Sequence, residues 1–97
     1  EDGETLGTAA LADKENYGEV KSMFVAETAR GLGVGVALLT RLEEEARARG
    51  LPALMLATGN ALHAAHRLYA HAGFTERGPF GDYPDAASSL FMEKRLA

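Results

Sequence analysis

The sequence predicts an α/β domain built on a mixed, mostly antiparallel sheet with two helices. Two observations carry this prediction. Strand-like apolar runs alternate with two segments in which apolar residues recur at helical spacing. Glycine and proline stand between the segments and favour turns there. The predicted order is strand, strand, helix, strand, helix, strand, strand, in one domain over residues 1–97.

The first two strands are predicted from residues 4–12 and 19–27, and the segment between them is rich in turn-forming residues. In the second strand, apolar Val20, Met23 and Val25 are interleaved with polar side chains. Two such strands joined by a tight turn indicate an antiparallel hairpin.

A long helix follows the hairpin. Its apolar face carries Leu38, Leu39, Leu42 and Ala46. Gly50 then favours the end of the helix, and a proline two residues later forbids its continuation. Glutamate–arginine pairs four residues apart, in the favourable order, support the same helix: Glu43 with Arg47 and Glu45 with Arg49.

The second half of the chain alternates shorter elements. Residues 53–58 form a continuous apolar run, which is typical of a buried strand. A second helix is predicted over Ala61 to Ala72, ending at Gly73. A short strand from Phe74, a loop with two prolines and a final strand from Ser89 complete the order.

Composition excludes several classes of function. The net charge of -4 argues against nucleic acid as the main partner, because phosphate binding relies on a basic surface. The chain has no cysteine, so a disulfide, a thiolate zinc site and a thiol nucleophile are excluded. No apolar run approaches the roughly 20 residues that span a bilayer, so no membrane association is expected. A cytoplasmic setting fits these features.

The segment Arg30-Gly31-Leu32-Gly33-Val34-Gly35 places three glycines where a strand is followed by the long helix. A simple turn is one interpretation. A P-loop requires a Gly-Lys-Ser/Thr ending, which is absent here. A dinucleotide fingerprint requires the spacing G-x-G-x-x-G and a later acidic residue, whereas the spacing here is G-x-G-x-G. The fourth interpretation is a pyrophosphate site of the form R-x-x-G-x-G. Unpaired amides of a first helical turn bind anions, and small residues allow their close approach.

This segment resembles the acyl-CoA signature of the GNAT superfamily of N-acetyltransferases. A second match supports the resemblance, because Ala65, Leu68, Tyr69, Gly73 and Phe74 fit the family pattern A-x-x-L-Y-x-x-x-G-F. Both motifs occur in the expected order. The resemblance implies a GNAT-like fold that lacks the usual N-terminal strand and helices, so the domain is expected to be N-terminally incomplete.

The resemblance also implies where acetyl-CoA binds. The strand before the glycines is expected to splay away from the strand after the first helix, leaving a gap for the pantetheine arm. Backbone groups of Phe24 and Val25 would pair with that arm. The amides of residues 31–35 would hold the pyrophosphate, with Arg30 alongside.

Two residues take catalytic roles by the same resemblance. Tyr69 matches the family tyrosine near the thioester sulfur, where a phenol suits proton donation to the leaving thiolate. Glu19 lies where some members carry a general-base glutamate. The alternatives stay open for both residues. Tyr69 is then a packed residue of the helix with no catalytic role. Glu19 is then an exposed strand residue beside Lys21, and ordered water removes the proton of the acceptor amine.

The chain departs from the family pattern at the second helix, where Leu62 stands in place of a common asparagine. Asn60 is interpreted as a helix cap instead. The loop of residues 78–85 is a second point of interest. Phe80 and Tyr83 are candidates to line the acceptor site, and Asp82 or Asp85 to attract a cationic amine, with a solvated loop as the alternative.

His63 and His66 lie one helical turn apart, but no carboxylate or cysteine nearby in sequence completes a metal site. They are interpreted as surface residues, and no metal is expected. A bare sheet edge left by the absent strand is compatible with a homodimer.

The resulting hypothesis is transfer of an acetyl group from acetyl-CoA to the primary amine of a small molecule or peptide. The amine attacks directly in a ternary complex. The alternative is a non-catalytic CoA-binding or interaction module of the same fold.

Overall fold

The protein is described by a computed structural model that covers residues 7–25, 33–84 and 86–96. Its strands are β1 (Gly7–Asp13), β2 (Gly18–Val25), β3 (Ala53–Gly59), β4 (Thr75–Arg77) and β5 (Ser89–Arg95), and its helices are α1 (Val34–Ala48) and α2 (His63–His71). The predicted order of elements is confirmed. Of the described helices, none has the length and apolar character needed to cross a membrane.

The five strands form one sheet in the order β1-β2-β3-β5-β4. Only β2 and β3 run parallel, and the other neighbours are antiparallel. The parallel pair is joined through α1, because parallel strands require a crossover connection. The predicted mixed, mostly antiparallel sheet is therefore confirmed.

The core lies on the helical side of the sheet. In α1 the buried residues Gly35, Leu39, Leu42 and Ala46 recur at helical spacing, and the last three belong to the core packed on the strands. Leu54 and Leu56 of β3, two residues apart, point to the same side and are fully buried. The other members of this core are Val20, Leu51, Tyr69, Phe74, Met92 and Leu96.

The two helix ends follow from glycines with positive φ. Gly50 (φ 75°) ends α1 and Gly73 (φ 101°) follows α2, conformations that a residue with a Cβ atom rarely adopts. On α1 the predicted ion pairs form, with Arg47 2.9 Å from Glu43 and Arg49 2.6 Å from Glu45.

The start of α2 differs from the prediction. The helix begins at His63 rather than Ala61, and no described side chain caps it. Asn60 is not its cap, because its side-chain amide donates to the backbone carbonyl of Ala87. Asn60 thus ties the end of β3 to the segment before β5. This long-range partner satisfies the amide and removes it from the helix.

Candidate active site

The N-terminus of α1 has no side-chain cap among the described residues. Gly33, immediately before the helix, has φ 82°, and a Cβ atom built there would meet no atom of the described residues within 4 Å. The amides of Val34 and Gly35 have no acceptor within the helix, because the first backbone donors of any helix lack one. The positive end of the helix therefore has no partner among the described residues.

Not every residue of the glycine motif falls within the described structure. Arg30, Gly31 and Leu32 lie outside it, so their predicted contacts with the pyrophosphate stay predictions. Gly33, Val34 and Gly35 are described.

Gly35 has a structural reason to be glycine. A Cβ atom at this position would lie 2.7 Å from Cδ2 of Leu68, a distance that real Cβ contacts essentially never show. The absence of a side chain therefore lets α2 pack against the first turn of α1. The sequence suggested phosphate access as the reason for this glycine, whereas the described contact is between two helices.

Strands β2 and β3 pair over a short stretch only. Their register joins Gly18 with Leu54 and Glu19 with Met55, and no further pair of their described residues is in register. Beyond Glu19, β2 therefore does not pair with any described residue of β3. Phe24 and Val25 lie on this part of β2 and pair through the other edge with β1. The separation of these strands, which the sequence analysis expects, is present.

Tyr69 lies on α2 next to Leu68, the residue that contacts the first turn of α1. It is 6% exposed, and its ring packs edge-on against Phe74 at a centroid distance of 5.9 Å. Burial raises the pKa of the Tyr69 phenol, so the group keeps its proton at neutral pH. Within the described residues its hydroxyl forms no hydrogen bond.

Glu19 is buried on the opposite face of the sheet from the core, with 4% of its surface exposed. Its Oε2 atom accepts a 2.6 Å hydrogen bond from the Tyr83 hydroxyl and lies 3.8 Å from Nζ of Lys21. The alternative of an exposed strand glutamate is therefore wrong, although Lys21 is its neighbour as expected. Alternation along β2 explains the burial: Val20 faces the core, so Glu19 faces the other side.

The loop before β5 packs over Glu19 as a compact aromatic cluster. The Phe80 ring lies edge-on to three aromatic rings, at 5.5 Å from Tyr17, 5.3 Å from Tyr83 and 5.8 Å from Phe91. These contacts hold the loop on the sheet, so the interpretation as a solvated connection does not apply to Phe80. Asp82 is exposed, and Asp85 lies outside the described residues.

An open cleft of about 440 Å³ lies between this loop and the hairpin. Its walls are Lys14, Tyr17, Glu19 and Lys21 on the hairpin side and residues 81–84 on the loop side. The cleft thus combines a buried carboxylate, aromatic surface and exposed charges. Such a site can bind a small polar molecule and accept a proton from it.

The sequence profile of the acetyltransferase (GNAT) family matches residues 1–74. This chain belongs to the GNAT family. It is 53% identical over 96 residues to an IAA acetyltransferase of Azospirillum brasilense, covering 97% of this chain and 63% of that protein. The GNAT chain described here thus spans less than two thirds of that relative's length.

Solved structures agree with this assignment. A proposed acyl-CoA N-acyltransferase from Klebsiella pneumoniae superposes with a TM-score of 0.91 at 38% identity, over 99% of this chain and 67% of that one. A proposed streptothricin acetyltransferase from Bacillus anthracis, solved with acetyl coenzyme A, gives a TM-score of 0.82 at 27% identity, over 95% and 56%. The predicted GNAT-like fold is confirmed.

His66 has a structural partner in this GNAT chain. Its Nε2 atom lies 2.8 Å from the carbonyl oxygen of Gly59, at the end of β3. The imidazole therefore links the first turn of α2 to the preceding strand. His63 is exposed and stacks edge-on against it at 5.7 Å.

Proposed function

We propose that this chain forms the acetyl-CoA-binding and catalytic part of an N-acetyltransferase that acts on a primary amine. The observations that carry the proposal are the end of β2–β3 pairing beyond Glu19 and Met55 and the uncapped N-terminus of α1. A strand edge with free backbone groups suits an extended amide-containing arm, and a helix N-terminus suits a diphosphate.

In this proposal the residues around α1 hold the cosubstrate. The amides of residues 31–35 bind the pyrophosphate, and Arg30 adds a positive charge. Support comes from Gly33, where φ is 82° and a Cβ atom would meet no described residue within 4 Å. Backbone groups of Phe24 and Val25, on the part of β2 beyond Glu19, pair with the pantetheine arm.

In the same proposal the catalytic groups are Glu19 on β2 and Tyr69 on α2. Glu19, or water that it orders, takes a proton from the acceptor ammonium, and the neutral nitrogen attacks the thioester carbonyl carbon. The new C–N bond forms as the C–S bond breaks, and Tyr69 donates a proton to the sulfur. The nitrogen loses its second proton, which restores the Tyr69 phenol through solvent. Most of the rate gain then comes from holding amine and thioester together.

The acceptor in this proposal is a small amine or peptide bound in the cleft beside Glu19. The names of the relatives indicate acceptors as different as IAA and streptothricin. The buried carboxylate suits the ammonium group that all primary amines share at neutral pH. Selection between amines then falls to the aromatic wall and the charges at the rim of the cleft.

Calorimetry and turnover test the proposal together. Acetyl-CoA should bind the full-length protein with measurable heat, and a panel of amines should release free CoA. No heat and no thermal shift would contradict acetyl-CoA binding altogether. Tight binding without turnover on any amine would instead favour a non-catalytic CoA-binding module.

A further inference from the structure

We infer that Tyr83 is a positioning residue that holds one oxygen of Glu19, so that the other oxygen is presented to the acceptor amine. The inference rests on the proposed function, in which Glu19 receives the proton of the amine. Nothing in the sequence links the two residues, which are 64 positions apart.

The two carboxylate oxygens of Glu19 differ in their hydrogen-bond and ionic contacts. The Tyr83 hydroxyl donates to Oε2 at 2.6 Å, a length typical of a hydrogen bond to an ionised carboxylate. Nζ of Lys21 approaches the same oxygen at 3.8 Å. Within the described part of the chain, Oε1 accepts no hydrogen bond. The partners thus fix the carboxylate through one oxygen and leave the other for a ligand.

Tyr83 is itself fixed by packing that does not involve its hydroxyl. Its ring lies 5.3 Å from Phe80 and 5.7 Å from Phe91. Gly81, two residues before Tyr83, has φ 59°, and a Cβ atom there would lie 3.1 Å from the hydroxyl of Tyr17. The loop backbone therefore approaches the hairpin closely. Because the ring is held independently, removal of the hydroxyl alone should leave the loop in place.

The hydrogen bond to Glu19 also favours the protonated form of the Tyr83 phenol, which is the form that can donate. It raises the pKa of the Tyr83 phenol, with burial and the charge of Glu19 acting in the same direction. The phenol therefore stays protonated and donates to Glu19 at neutral pH. A base whose carboxylate is oriented in advance loses less entropy when the amine is deprotonated.

Removal of the hydroxyl is the direct test. In the full-length protein, Tyr83→Phe should lower kcat about ten- to hundredfold and leave the KM for acetyl-CoA unchanged. Thr75→Val also removes one hydroxyl, from the exposed strand β4, and should leave both parameters at their original values. A melting temperature close to that of the wild type would show that Tyr83→Phe is folded.

A double-mutant cycle separates positioning from a general structural effect. Glu19→Gln should lower kcat strongly, and adding Tyr83→Phe to it should change kcat less than about twofold. Losses that multiply would contradict the inference. An active wild type with unchanged kcat in Tyr83→Phe would overturn it while the proposed function stands. Absence of turnover in the wild type would overturn the proposed function and the positioning role together.

A second measurement follows the titration of Tyr83 itself and needs no turnover. Ultraviolet titration of tyrosinate, with Tyr83 assigned by difference from Tyr83→Phe, should give a lower pKa for Tyr83 in Glu19→Gln than in the wild type. The shift is expected because the charged acceptor is removed. An unchanged Tyr83 titration would overturn the inferred contact.

Discussion

The side chain of Leu68 occupies the space that a Cβ atom on Gly35 would need, with Cδ2 of Leu68 2.7 Å from that position. Gly35, a residue of the glycine motif, therefore makes room for a side chain of α2. Tyr69, the next residue on α2, is buried and packs against Phe74. The glycine motif thus contributes to the contact between the two helices as well as to the proposed diphosphate site.

Gly35→Ala should destabilise the fold. Overpacking costs about 1–3 kcal/mol and helix propensity returns up to about 1 kcal/mol, so a net loss of about 1 kcal/mol is expected. Thermal unfolding should report a melting temperature lower by about 4–8 °C. In a Leu68→Ala background the same change should be neutral or stabilising. An unchanged melting temperature in the wild-type background would contradict the packing role.

Gly33→Asn and Gly33→Asp provide a matched pair at the N-terminus of α1. Both side chains tolerate positive φ and have nearly the same size, so they differ mainly in charge. The aspartate should raise stability relative to asparagine by about 0.3–1 kcal/mol, because it faces the positive end of the helix. It should nevertheless weaken acetyl-CoA binding at least about tenfold, because it repels the pyrophosphate.

Calorimetry with acetyl-CoA and thermal unfolding, run on both Gly33 variants, check this opposite response. Equal affinity of the two variants for acetyl-CoA would contradict the binding of its pyrophosphate at the N-terminus of α1. Reduced affinity with reduced stability would point to a folding defect instead.

Tyr69→Phe should lower kcat at least about tenfold while the KM for acetyl-CoA and the melting temperature stay nearly constant. The ring contact with Phe74 is retained, and only the hydroxyl is removed. Since burial raises the pKa of Tyr69 above its ordinary value of 10.0, the wild-type phenol should supply its proton up to pH 10 and beyond. An alkaline loss of kcat well below pH 10 that disappears in the variant would contradict this.

Lys94→Met should make the fold less sensitive to acid. Nζ of Lys94 donates to Oε1 of Glu43 at 2.7 Å and to the carbonyl of Ala72 at 2.8 Å. The first contact is the main reason that the pKa of Glu43 is below its ordinary value of 4.5. The unfolded chain binds this proton more readily. The stabilisation is therefore complete above the unfolded-state pKa and is lost as the pH falls through the folded-state value.

The variant should lose about 1 kcal/mol at pH 7 and show a shallower loss of stability below pH 4.5. Urea unfolding across this pH range checks both effects. Arg95→Met removes a more exposed cation from the same strand and should change stability by less than about 0.5 kcal/mol. An unaltered pH slope in Lys94→Met would show that Glu43 is held by Arg47 instead.

The helices and strands could be predicted from local patterns because the residues that form each pattern are close together in sequence. The helical spacing of Leu39, Leu42 and Ala46 predicted α1 and its buried face, and Gly50 predicted its end. The prediction that Asn60 caps α2 was wrong because the partner of its side chain is distant in sequence. Its side chain bonds to Ala87, a residue 27 positions away that no local pattern includes.

The sequence by itself determined the order of elements, the family and the residue types at the glycine motif, since these depend on short-range periodicity and on spacing between neighbours. Only the tertiary structure decided that β2 and β3 separate beyond Glu19, that Gly35 makes room for Leu68, and that Glu19 is buried under Tyr83. Each of these contacts joins distant parts of the chain. These contacts form only once the sheet and the helices are packed, so a pattern of neighbouring residues in the sequence does not predict them.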